Sequence, residues 1–149
     1  MLRYQENNEL HRDFHGTTNT TLTYIADHYG VEALKMILRR TGREVYKSIR
    51  EKLARGDASE LIEHLNWFFF REGGNYRLTV NENEIRFEVF ECPAHRHLRK
   101  LGMEISPYSC LQTEEVNAGM CEGTPWKSSV EHPAPGRCIQ IFRREESEK

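Results

Sequence analysis

Hydrophobic positions recur with a helical period through the first half of the chain and with a strand period after Gly74. From Asp13 to Tyr29, Phe14, Leu22, Ile25 and Tyr29 fall on one face with Thr18 between them, and Gly30 suits a helix end. A second, longer helix is predicted from Val31, with Leu34, Ile37 and Leu38 and then Val45, Ile49 and Leu53 facing inward. Gly42 interrupts it, as a kink or as a close packing point. Gly56-Asp57 closes that helix, and Asp57 or Ser59 can cap a third through Leu61, Ile62, Leu65, Phe68 and Phe69.

After the break at Gly73-Gly74, Tyr76, Leu78 and Val80 alternate with polar residues, as do Ile85, Phe87 and Val89 beyond Asn81-Glu82-Asn83. Two such runs around a short Asn-rich turn predict a β-hairpin. A short helix runs from Pro93 to Leu101, and another from Cys110 to about Glu122, with Ser109 as N-cap and Gln112 completing a capping box. Trp126 to His132 and Arg137 to Arg143 form a second hairpin around Pro133-Ala134-Pro135-Gly136. The expected fold is therefore α+β. Three N-terminal helices and two helices between the hairpins pack on one face of an antiparallel sheet of about four strands. No linker or repeat divides residues 1–149, so one domain is expected, with its core over 13–144 and frayed ends at 1–10 and 145–149.

Composition narrows the function classes. A chain of 149 residues buries enough surface to need no disulfide or metal for its core. The net charge of -2 gives no nucleic-acid footprint, and the basic cluster Arg39, Arg40, Arg43 and Lys47 is interleaved with Glu44 and Glu51, as on a solvated helix face. No signal-peptide core or membrane-length apolar window is visible, which points to the cytoplasm and to reduced thiols. The four cysteines include no Cys-x-x-Cys pair, which removes a zinc ribbon. No phosphate-binding glycine loop and no Gly-x-Ser-x-Gly are present.

Candidate chemistry concentrates at Cys92-Pro93-Ala94-His95-Arg96-His97-Leu98 and at Cys110. Thiolates and imidazoles bind soft metals and attack electrophilic carbon. Pro93 cannot extend a strand but suits a first helical turn, so this cluster sits at a strand-to-helix junction. Cys110 opens a helix, where unpaired backbone N–H groups favour a thiolate, although free cysteine is also a common buried residue. Helical spacing places Cys110, Glu114, Asn117 and Cys121 along one stripe, with Val116 and Met120 beside it in the core. Cys138, inside a strand, is most simply a packing residue. His95 and His97 are two apart, so a helix splays them and one of the two faces the site. His11 and His15 are four apart, a spacing that suits one helix face, and His15 borders the Phe14 face. His28, His64 and His132 have no partner in sequence.

Taken together, Asp13-Phe14-His15, Tyr24, Tyr29-Gly30, Cys92-Pro93-Ala94, His97-Leu98, Cys110, Thr113, Val116-Asn117 and Gly123-Thr124 resemble a small bacterial family. It is the family labelled L-2-amino-thiazoline-4-carboxylic acid hydrolase-like. The resemblance spans roughly Asp13 to Arg144 and implies hydrolysis of a cyclic isothiourea that carries a carboxylate. On that reading a Cys110 thiolate attacks the ring carbon between nitrogen and sulfur, and His97 or His95 moves protons. Cys92 and His15 complete the catalytic set. His95, Arg96, Arg99, Thr113 and Asn117 would hold the substrate, the arginines by its carboxylate. A second route has Cys92, Cys110 and His97 bind zinc and deliver hydroxide. An alternative from another class is a non-catalytic module for a small molecule or metal, resembling vinyl-reductase-type ligand-binding domains. In either case the expected partner is a small molecule, not nucleic acid or membrane.

Overall fold

A computed structural model describes residues 13–146. Six helices and four strands follow in chain order. They are α1 (Asp13–Tyr29), α2 (Val31–Glu44), α3 (Lys47–Ala54), α4 (Ser59–Arg71), β1 (Asn75–Val80), β2 (Glu84–Glu91), α5 (Pro93–Lys100), α6 (Ser109–Cys121), β3 (Trp126–Ala134) and β4 (Arg137–Arg144). The α+β class and the helix pair between two hairpins match the sequence expectation.

The long second helix does not. It breaks at Val45-Tyr46, where Tyr46 leaves helical geometry at φ -99°, ψ 32°, so four helices precede the sheet and not three. Gly42 is not the break. It is a packing point, where α2 crosses α6 against Gly119. A Cβ on Gly42 would lie 2.3 Å from the Val116 carbonyl oxygen, and one on Gly119 would lie 2.2 Å from that of Arg39. Only two glycines allow these backbones to meet.

The sheet is antiparallel in the order β1-β2-β4-β3, so the two hairpins join through β2 and β4. Ile85 pairs with Phe142, Phe87 with Gln140 and Val89 with Cys138. The two-residue period of a strand puts all six on one face. Ile85, Phe87, Val89 and Phe142 are buried there against Ile49 and Leu53 of α3, Leu61 and Leu65 of α4 and Met120 of α6. A second cluster, Leu22 and Ala26 of α1 with Leu34 and Leu38 of α2, seats α1 beside the start of α6 through Tyr108 and Leu111.

Two local details shape the site. The second hairpin turns more tightly than its Pro-rich sequence implies: β3 continues to Ala134, and Gly136 sits at φ 75°, the left-handed region open to glycine. Its carbonyl accepts the Cys92 N–H at 2.8 Å, which ties the end of β2 to this turn. The capping box at Ser109 is not formed. Tyr108 is the N-cap, Ser109 is the first helical residue, and its hydroxyl is engaged elsewhere. No described helix is long and apolar enough to cross a membrane.

Candidate functional site

At the Cys138 end of the inner face, the sheet, α1, α5 and α6 do not close on one another. They leave a cavity of about 680 Å³. Its walls come from α1 (Phe14, His15, Thr18, Asn19, Leu22), from the β2–α5 junction (Cys92, Ala94, His95, Leu98, Arg99) and from the first turn of α6 (Ser109, Cys110, Gln112, Thr113). The β3–β4 turn, from His132 to Cys138, completes it.

Cys92, Cys110, His15, His95, Arg99 and Thr113, all singled out in the sequence, therefore border one space. Pro93 at the first position of α5 ends β2 and places Cys92 at the N-cap, with the α5 side chains turning back over the opening. Burial pushes the Cys92 thiol up, the amides of His95 and Ala94 pull it down, and nearby Cys110 and Glu72 push it up again. Burial lowers the His95 pKa, and Arg99 adds to this, so the imidazole is neutral at neutral pH and free to accept a proton. His95 Nε2 lies 3.0 Å from the Ser109 hydroxyl, and Ser109 Oγ lies 4.0 Å from Cys110 Sγ. Imidazole, hydroxyl and thiol form a chain along the cavity wall.

Three expected site residues are placed elsewhere. His97 lines a smaller neighbouring pocket with His15, Glu72 and Arg96, as the splay from His95 requires. Its ring centroid is 5.9 Å from that of His15, and its Nε2 has no hydrogen-bond partner among the described residues. Arg96 donates to the carbonyls of Glu72 (2.9 Å) and Gly73 (3.1 Å) and so fastens the end of α4 to α5. Asn117 is buried and donates to Gln140 Oε1 at 2.9 Å, linking α6 to β4. In the structure Arg96 Nη2 and Asn117 Nδ2 both donate within the fold. The residues of the zinc route are divided between two spaces. Cys92 and Cys110 face the cavity while His97 faces the other pocket, and among the described residues no three His, Cys, Asp or Glu side chains are grouped to hold an ion.

His15 is buried and lines both spaces, with Nε2 hydrogen-bonded to the Glu72 carboxylate. His11, its sequence partner, lies outside the described residues. On the α6 stripe, Cys121 is buried in the core with its thiol pushed up to about 12, and Glu114 accepts a 2.8 Å hydrogen bond from His132.

Two further residues border the site: Cys138, which also packs against the core as expected, and Ser109. Cys138 lies on the cavity wall, and burial raises its pKa to about 11. The signal was available: Cys138 shares the strand face of Gln140 and Phe142, but a packing role also fits that pattern. Ser109 was assigned to a helix cap, because nothing local shows that His95 will reach it.

Comparison with protein-family models, with curated proteins and with solved structures finds no match to this chain.

Proposed function

We propose that the chain is a hydrolase of a small cyclic amidine or isothiourea, with the substrate seated in the 680 Å³ cavity and attacked by Cys110. One observation carries the reading: a thiol at the start of α6 and a neutral imidazole on α5 line the same cavity, with one hydroxyl between them. A nucleophile and a base oriented on one pocket are the elements of covalent catalysis. The volume suits a compact ligand, at the middle of the range for small-molecule sites. Arg99 stands in the wall near Gly136 and can pair with a substrate carboxylate, with Thr113 adding a hydroxyl. Attack at the carbon between nitrogen and sulfur forms a bond to Cys110 Sγ. Expulsion of the ring sulfur as a thiol takes one proton, and water then releases the product and regenerates the Cys110 thiol.

Binding tests the pocket apart from the chemistry. L-2-Amino-thiazoline-4-carboxylate, titrated calorimetrically into the full chain, should bind, and Arg99→Ala should weaken it about tenfold or more, the scale of one lost charge-assisted hydrogen bond. Equal affinity in the two proteins would remove Arg99 from the carboxylate site, and no heat with either would count against this ligand class.

A second reading, a non-catalytic binding module, is favoured by a separate observation. Burial raises the pKa of both Cys92 and Cys138, which keeps these thiols protonated beside apolar Leu22, Leu98 and Ile105. On that reading the same ligand binds and is recovered unchanged.

A further inference from the structure

We propose that Ser109 is a positioning residue that relays the proton between Cys110 and His95. The inference rests on the hydrolase reading and adds to it a residue with no expected role beyond capping.

The argument starts from what a hydroxyl does at the start of a helix. Serine there ordinarily accepts a backbone N–H two or three residues on. Ser109 makes no such bond, because it is already the first helical residue, and Tyr108 holds the cap position. Its Oγ instead faces His95 Nε2 at 3.0 Å and Cys110 Sγ at 4.0 Å. A hydroxyl both accepts and donates, so it can take a proton from one neighbour while giving its own to the other. The balanced step is that the Cys110 S–H proton passes to Ser109 Oγ as the Ser109 O–H proton passes to His95 Nε2. The products are a thiolate, an unchanged serine and an imidazolium. No charge is created overall, and no co-reactant is needed. The His95 imidazolium then gives its proton to Ser109 Oγ as the Ser109 O–H proton passes to the departing ring sulfur, which balances the step.

The geometry places the hydroxyl between the imidazole and the thiol. His95 Nε2 is occupied by Ser109, and the structure shows no contact between His95 and Cys110, so the serine is the bonded route from base to thiol. Burial and the Arg99 guanidinium keep His95 in the neutral form that can accept a proton, and the thiolate formed in the same step offsets the cost of charging it.

The test is the rate at which iodoacetamide alkylates each cysteine of the full chain, followed by peptide mass mapping across pH 6 to 9. Ser109→Ala should slow Cys110 alkylation at neutral pH by about tenfold, a modest share of what positioned proton transfer can supply. Ser109→Thr, which keeps the hydroxyl, should restore most of the rate. His95→Gln should slow Cys110 similarly, and the double variant should be no slower than either single one, as expected for residues acting in one chain. Loss of fold reads in the opposite direction, because buried Cys121 would then become fast; if Ser109→Ala does so, the Thr and Gln variants carry the decision. Wild-type rates in Ser109→Ala, or equal slowing by Ala and Thr, would overturn the relay and leave the hydrolase reading standing. A wild-type Cys110 no faster than Cys138 would overturn that reading too.

Discussion

Replacing Gly119 with Ala sets two opposed effects against each other at the crossing of α2 and α6. Helix propensity alone favours the variant by about 1 kcal/mol, since alanine restricts the unfolded backbone and glycine does not. Packing opposes it. The new methyl would sit 2.2 Å from the Arg39 carbonyl oxygen and 3.0 Å from the Gly42 Cα. An ordinary carbon–oxygen contact is about 3.3–3.6 Å, so the helices must separate by roughly 1 Å. Both obstructing atoms are backbone, and no side chain can rotate away. Overpacking in such a place costs about 3 kcal/mol, the upper end of its usual range. The net loss is then about 2 kcal/mol. For a chain of this size each kcal/mol moves the melting temperature by about 2–4 °C, so a drop of about 4–8 °C is expected. Thermal melting by circular dichroism measures it, with urea unfolding as the check on free energy. A melting temperature equal to or above wild type would mean that the helices are not in glycine-to-glycine contact. Because α6 carries Ser109 and Cys110 into the cavity, the same displacement should also change the rate of Cys110 alkylation.

Three further outcomes follow from the same structure. Phe87→Ala empties a fully buried position between β2 and the helices and should cost about 3–5 kcal/mol in urea unfolding; a loss below about 1 kcal/mol would contradict the core assignment. The half-buried His64 imidazole packs near Tyr46 and Phe68, and desolvation lowers its pKa to about 4. Its unfolded value is about 6.5, so between those limits the unfolded chain binds the extra proton, and stability falls as the pH is lowered from 6.5 to 4. With part of the ring reaching solvent, we expect a loss of roughly 1–2 kcal/mol over that window, and His64→Gln should flatten it; an unchanged slope in the variant would refute the assignment. Among the remaining thiols, Cys92 and Cys138 should alkylate more slowly than Cys110 at pH 8, and Cys121 slowest of all, because burial raises their pKa values and places Cys121 in the core. Peptide mapping that finds Cys121 first would reverse the picture.

Much of the architecture was legible because its signals are local. The change of hydrophobic period after Gly74, the Asn-rich turn and Pro93 at the head of α5 each act within a few residues. The break at Val45-Tyr46 was not legible, since neither residue is a helix breaker and the nearby glycine serves a different purpose. That glycine is explained only by Gly119, far along the chain. The site shows the same division. Cys92, His95 and Arg99 could be read from one junction, and Cys110 from the start of a helix. Asn117 and Arg96 look equally suited to binding, but their hydrogen-bond partners Gln140, Glu72 and Gly73 are remote in sequence. Cys138 and Ser109 reach the cavity through strand register and helix docking, neither of which a single sequence displays.

The central claim is that Cys110 opens an electrophilic ring carbon inside this cavity. The direct measurement is carbon NMR of L-2-amino-thiazoline-4-carboxylate labelled at the carbon between nitrogen and sulfur, incubated with the wild-type chain, with Cys110→Ala and with His97→Ala. The account expects the ring-carbon resonance to be replaced by that of the opened product with wild type and with His97→Ala, and to persist with Cys110→Ala. Ring opening that survives Cys110→Ala, or a resonance unchanged by the wild-type chain, would contradict it.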